Sequence, residues 1–123
     1  MYTLLNMQAF LRTPETEEKY QAHIARGGLT HCPLCHEEPL QQFVHWKILK
    51  NAFPYDKILQ VHHMLVSMRH VTEEELNEEE KQELQTIKQG YLDDHYQFIL
   101  EPTRGGKSIP GHIHFHLVVV KEL

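Results

Sequence analysis

His112-Ile113-His114-Phe115-His116-Leu117-Val118-Val119-Val120 is the stretch whose reading decides the fold. Histidine alternates with apolar residues, and a strand sends successive side chains to opposite faces. His112, His114 and His116 therefore share one face, with Ile113, Phe115 and Leu117 on the other. The polar face of a strand is ordinarily filled by Thr, Ser or Lys. Three imidazoles in a row offer metal ligands, general acid–base groups or a nucleophile. The plain alternative is an exposed, histidine-rich strand without chemistry. The preceding run Gly105-Gly106-Lys107-Ser108-Ile109-Pro110-Gly111 argues against it, because it ends one element and leaves backbone N–H groups near the histidines.

The 123 residues are enough for one domain with one buried core. Hydrophobic residues make up 41% and charged residues 24%, an ordinary globular composition. A formal net charge of −5 argues against broad, charge-driven binding to nucleic acid, but not against a small phosphate ligand held by local donors. No stretch is apolar enough to span a membrane. Met1 to Phe10 lacks the basic and apolar regions of a signal peptide, so a cytoplasmic protein is expected.

Outward from the histidine strand, the chain reads as alternating short elements. Thr13-Pro14-Glu15 starts a helix: Thr13 caps, Pro14 suits the first position and the acids suit the dipole. It should end near Arg26, before Gly27-Gly28, with Leu11, Tyr20 and Ile24 facing inward. Phe43 to Asn51 reads as a strand, broken at Pro54, and Leu59 to Met68 as a second. His62, Met64, Val66, Met68 and His70 share one parity in it. Asn77 caps a longer helix whose inward stripe is Leu84, Ile87 and Tyr91. Its acidic first turn is a solvated face. Tyr96 to Glu101 reads as a third strand.

Between the first helix and the first strand lies His31-Cys32-Pro33-Leu34-Cys35-His36. A redox Cys-x-x-Cys sits at the start of a helix, whose dipole lowers the thiol pKa; no apolar helix follows here. Two thiolates need two more ligands for tetrahedral zinc, and imidazoles are the obvious supply. The candidates are His31, His36, His70 and the histidine strand, and distant ones close a better tetrahedron than His31 or His36. A pair of free thiols is the alternative.

Several of these segments together resemble the histidine triad (HIT) superfamily. The strand from His112 resembles its His-φ-His-φ-His-φ-φ signature, where φ is apolar. Gly106 to His112 is similar to the Ile-Pro-Gly approach of its dinucleoside-polyphosphate phosphorylase branch. Asn51-Ala52-Phe53-Pro54-Tyr55 and His62-His63-Met64-Leu65-Val66-Ser67-Met68-Arg69-His70 resemble two further segments of that branch. With Cys32-Pro33-Leu34-Cys35, the resemblance covers about residues 30–120.

The resemblance implies a single α+β HIT-like domain over residues 1–123, with residues 1–30 as an N-terminal helical extension. An antiparallel sheet of segments 42–50, 58–69, 96–101 and 112–120 would be packed by the 77–95 helix. It implies that His114 is the nucleophile towards the α-phosphorus of a nucleotide, giving a nucleotidyl-histidine intermediate. His116 would contact phosphate oxygens, His62 would be the upstream active-site histidine and Asn51 would contact ribose. Lys107, Ser108 and the Gly105-Gly106 backbone would add donors to the phosphate. Cys32, Cys35, His70 and His112 would bind a structural zinc. A homodimer is implied as well. Six residues, Asp56 to Val61, separate Tyr55 from His62, about twice the spacing usual in the family, which leaves His62 and His63 as alternatives.

The function expected is a hydrolase or nucleotidyl transferase cleaving a nucleoside 5′-phosphoryl conjugate, either a dinucleoside polyphosphate or a phosphoramidate. The second reading is a non-catalytic, zinc-stabilised module binding nucleotide or protein. The third is a catalytic metal held by the three histidines themselves.

Overall fold

The computed structural model describes residues 8–104 and 109–122. Its centre is a five-stranded antiparallel sheet in the order β1-β2-β3-β5-β4. The strands are β1 (Gln41–Gln42), β2 (Trp46–Lys50), β3 (Leu59–Ser67), β4 (Phe98–Leu100) and β5 (His114–Val120). The architecture is α+β, as expected, with a short strand, β1, that the sequence does not announce. Gln41-Gln42 carries no β-forming side chain and pairs only because β2 folds back beside it.

The histidine-bearing strands are neighbours. β3 pairs with β5 so that His62 lies opposite Val118, Met64 opposite His116 and Val66 opposite His114. Alternation then sorts the two faces. Trp46, Ile48, Leu65, Ile113, Phe115 and Leu117 form one apolar face, packed with Leu76, Leu84, Ile87 and Leu92. Leu49, Met64 and Val66 lie on the other face with Leu34 of the cysteine knuckle and, half-buried, Cys32 and Ile109. The interior half of β3, Met64–Ser67, is buried on both faces, which is why it reads as an almost continuous apolar run.

The covering helix starts as expected. Asn77 accepts from the Glu80 N–H at 2.9 Å, and the Glu80 carboxylate accepts from the Asn77 N–H at 2.9 Å. This capping box opens α2 (Glu78–Ile87), which passes through a π-helical turn, Lys88–Leu92, into α3 (Asp93–His95). Gly90 stands inside the π turn. Glu80 is buried and takes a fork of bonds from Arg69, at 3.1 Å from Nε and 2.6 Å from Nη2.

The N-terminal helix α1 (Pro14–Ala25) begins at Thr13, whose hydroxyl accepts from the Thr16 N–H. It stops where expected, because Gly27 takes φ 79°, open to glycine at little cost. Its inward face holds the expected Tyr20, with Leu11 half-buried just before the helix, but not Ile24. Ile24 is exposed, and no residue of α1 is buried. The half-buried residues of α1 are Thr16, Glu17, Tyr20 and His23. The spacing is helical, but the side chains are polar or aromatic because they face a cavity and a hydrogen-bonded loop rather than the core.

Candidate active site

The histidine strand starts two residues later than its sequence suggests. His112 lies before β5, and β5 itself carries His114 and His116. All three are buried. Their hydrogen-bond partners are different, and the partners determine which ring nitrogen holds the proton.

A backbone carbonyl can only accept. His112 Nε2 lies 2.8 Å from the Ser67 carbonyl, so Nε2–H donates and the lone pair is on Nδ1. His114 Nδ1 lies 2.8 Å from the His112 carbonyl, so Nδ1–H donates and the lone pair is on Nε2. A backbone N–H can only donate: that of Tyr55 gives to His62 Nδ1 at 3.0 Å, which puts the His62 proton on Nε2. His62 Nε2–H then points to His116 Nδ1 at 2.6 Å, leaving the His116 proton on Nε2. Four imidazoles thus acquire four defined tautomers from three backbone groups and one another.

Burial keeps the inner pair neutral. Desolvation first, then the Arg12 guanidinium, lowers His62 to about 4. Desolvation, followed by His62, His114 and Arg12, lowers His116 to about 3. Asn51 stands beside them, its Nδ2 3.2 Å from His62 Nε2, while its Oδ1 accepts from the Phe53 N–H at 2.9 Å. His63 faces the other way, its Nδ1 2.7 Å from the Tyr96 hydroxyl. Of the two candidates, His62 is therefore the one joined to His116.

His114, His116 and Asn51 line a cavity of about 310 Å³. That is the lower end of the range for a small-molecule site. Tyr20, Phe53 and His23 wall it on the α1 side, with ring centroids 5.3 Å apart for Tyr20–Phe53 and 4.8 Å for His23–Phe53. Arg12 and Tyr55 complete that wall; the Tyr55 ring stacks on His116 at 5.8 Å. His62 is not among the lining residues: it stands behind His116 and orients it. Lys107 and Ser108, expected as substrate contacts, lie outside the described residues, as does Gly105-Gly106.

Beside the cavity, Cys32, Cys35, His70 and His112 bring their ligand atoms within 4.8 Å of one another. His112 Nδ1 is 3.4 Å from Cys32 Sγ and 3.6 Å from Cys35 Sγ, and His70 Nδ1 is 3.3 Å from Cys35 Sγ. Zinc–sulfur and zinc–nitrogen bonds of about 2.3 and 2.0–2.1 Å give tetrahedral S···N edges of about 3.6 Å. The four atoms therefore fit a tetrahedral metal, and the His112 lone pair is already on the nitrogen that faces the sulfurs. Burial, and then the neighbouring Cys32, push the Cys35 thiol up, so a cation between the sulfurs is what would make two thiolates compatible. His70 arrives by a different route than parity suggests: β3 ends at Ser67, and the bend after it carries His70 to the knuckle. Among the described residues no metal-sized cluster includes His114 or His116, so a site built on the three histidines alone is not formed.

The residues missed from sequence are Arg12, Tyr20, His23 and Asp56. Asp56 accepts from the Thr13 N–H at 2.9 Å and from the Thr16 hydroxyl at 2.5 Å. It belongs to the lengthened segment between Tyr55 and His62, and that length was the available signal. Arg12 and His23 had none, since both sit in an N-terminal stretch whose pattern resembles an ordinary surface helix. Comparison with family models and with curated proteins finds no match to the chain. No helix among the described residues is long and apolar enough to cross a membrane.

Proposed function

We propose that the chain is a HIT-like enzyme, a hydrolase or nucleotidyl transferase that cleaves a nucleoside 5′-phosphoryl conjugate. The observation that carries the reading is the His114 tautomer. Its Nδ1–H is held on the His112 carbonyl, so the lone pair needed for attack is on Nε2, in a residue that lines the cavity.

The chemistry balances on these residues. His114 Nε2 attacks the α-phosphorus, a P–N bond forms and the bond to the leaving group breaks. The leaving group departs with the electron pair as an anion, and the neutral His116 can donate a hydrogen bond to it from Nε2–H without losing the proton. The nucleotidyl-imidazolium is stabilised by the charge-assisted bond from Nδ1–H to the His112 carbonyl. Water then attacks phosphorus, the P–N bond breaks with its electron pair returning to His114 Nε2, and the proton of the water leaves to solvent; phosphate in place of water gives a phosphorolytic outcome. Asn51 suits a ribose hydroxyl. Zinc on Cys32, Cys35, His70 and His112 would be structural, fixing the carbonyl that holds His114. A homodimer belongs to the same reading, and the exposed edge strand β4, with Phe98, Ile99 and Leu100, is the surface that supports it.

The test is a single turnover with diadenosine tetraphosphate labelled at the α-phosphorus. An acid-labile protein adduct is expected, absent in His114→Ala. Nucleotide binding with neither adduct nor turnover would replace the enzyme with a non-catalytic nucleotide-binding module.

A further inference from the structure

His116, which lines the cavity, is held neutral by burial, yet a nucleotide carrying two or more phosphoryl groups brings several negative charges. Among the described residues two cationic side chains, Arg12 and Lys50, line the same space. Lys50 is exposed, whereas Arg12 is only 7% exposed. Among the described residues the one carboxylate on the lining is Glu37, which is exposed.

Arg12 is held as a fixed plate. Its Nε donates to the Phe53 carbonyl at 2.9 Å, and one Nη1–H donates to Glu17 at 3.0 Å. Its guanidinium lies over Tyr20 at 4.1 Å and touches the Tyr55 ring at 5.1 Å, the ring on which His116 stacks. Guanidinium has five N–H donors, so three have no partner among the described residues. No described side-chain nitrogen is both buried and unpartnered, so the unpartnered Nη2 keeps a solvent contact, and Arg12 lines the cavity. A planar donor group, largely buried and preorganised with one edge open, suits phosphate oxygens.

We propose that Arg12 is an anion-binding residue of this cavity, taking the phosphoryl group next to the one that His114 and His116 face, so that the site prefers ligands with at least two phosphoryl groups. The assignment rests on the nucleotide reading above and narrows its substrate class from phosphoramidates towards polyphosphate conjugates. Glu17 tempers the charge of Arg12, so removing that carboxylate should strengthen the site.

The experiment is titration calorimetry of the full chain and of Arg12→Gln and Glu17→Gln with AMP, ADP and inorganic pyrophosphate. The wild type should bind ADP more tightly than AMP. Arg12→Gln should weaken ADP and pyrophosphate about tenfold and AMP less than about twofold. Glu17→Gln should strengthen ADP about threefold. Equal binding of AMP and ADP by the wild type, or equal losses for both in Arg12→Gln, would overturn the assignment. If Arg12→Gln fails to fold, Glu17→Gln decides, and no gain for ADP over AMP overturns it. Arg12-dependent binding of pyrophosphate without either nucleotide would keep the anion site and overturn the nucleotide reading; no binding of any of the three would overturn both.

Discussion

His62 Nε2 and His116 Nδ1 meet at 2.6 Å, each ring already committed to one tautomer by the Tyr55 N–H at the far side of His62. The contact joins β3 to β5 across residues 54 positions apart. It depends on both rings being neutral, since a proton on His116 Nδ1 would set two donors against each other.

That dependence has a pH signature. His62 is lowered to about 4 and His116 to about 3, chiefly by desolvation. A histidine whose folded pKa is depressed favours the native state above the unfolded pKa of about 6.5 and loses that advantage as pH falls. The thermal midpoint should be flat above about pH 6.5 and decline between there and pH 3–4. The loss should be on the order of a few kcal/mol for the pair, because each tenfold drop in proton affinity on folding is worth about 1.4 kcal/mol. Thermal melts against pH check this, with His62→Gln as the comparison. An equally steep decline in His62→Gln would place the acid sensitivity elsewhere.

The metal cluster makes a separate prediction. Purified protein should carry about one zinc per chain by elemental analysis, and Cys32→Ser should lose it. His112 anchors the entry to β5 through both the sulfurs and the Ser67 carbonyl. Losing the metal should therefore cost a few kcal/mol and lower the thermal midpoint by about 10 °C or more. Metal retained in full by Cys32→Ser would show that this cluster is not its site.

Arg69 and Glu80 hold the strand end that leads to His70. The Glu80 carboxylate is 1% exposed and receives Arg69 at 2.6 and 3.1 Å, besides the Asn77 N–H. The hydrogen bonds from Arg69 hold its carboxyl below the ordinary range despite burial. Arg69→Ala leaves the Glu80 charge buried with one donor. The Arg69 side chain is itself half-exposed, so water can replace part of what it supplies. The buried carboxylate should then cost about 1–2 kcal/mol in urea denaturation. Glu80→Gln keeps an acceptor for the helix cap and removes the charge, so its cost should be smaller. The reverse order would mean that the Arg69 stem, not its charge, supports this corner.

What is legible in the sequence is whatever local chemistry dictates. Thr13-Pro14 and Asn77 start helices because caps act within one turn, and His114-Phe115-His116 reads as a strand because its period is two. The proximity of Cys32 and Cys35 to His70 and His112 follows from the resemblance. Strand parity would not have found His70, because the strand stops at Ser67. Of the α1 wall of the cavity, only the inward placement of Tyr20 is legible. Its half-buried row, Thr16, Tyr20 and His23, has no apolar stripe, and its role is set by Asp56, some 40 positions away. Sequence patterning reports what faces a core, and this helix faces a cavity and a loop.

Asp56 is the hinge of that wall. It accepts from the Thr13 N–H and from the hydroxyls of Thr13 and Thr16, while the neighbouring Lys57 N–H donates to the Leu11 carbonyl at 3.1 Å. Burial opposes its ionisation, but these hydrogen bonds hold its carboxyl below the ordinary value. Asp56→Ala should cost about 1–3 kcal/mol, and the loss should be local. Amide hydrogen exchange in residues 14–25 should rise at least about tenfold while β3 and β5 keep their protection. An equal rise in β3 would mean global destabilisation, and no rise would mean that α1 is held by its contacts to Phe53 and the Lys57–Leu11 bond instead. Asp56→Asn should fall between wild type and Asp56→Ala. Its remaining oxygen still accepts from the Thr13 N–H, but its NH₂ group no longer accepts from the two hydroxyls, so the cap survives and the latch does not.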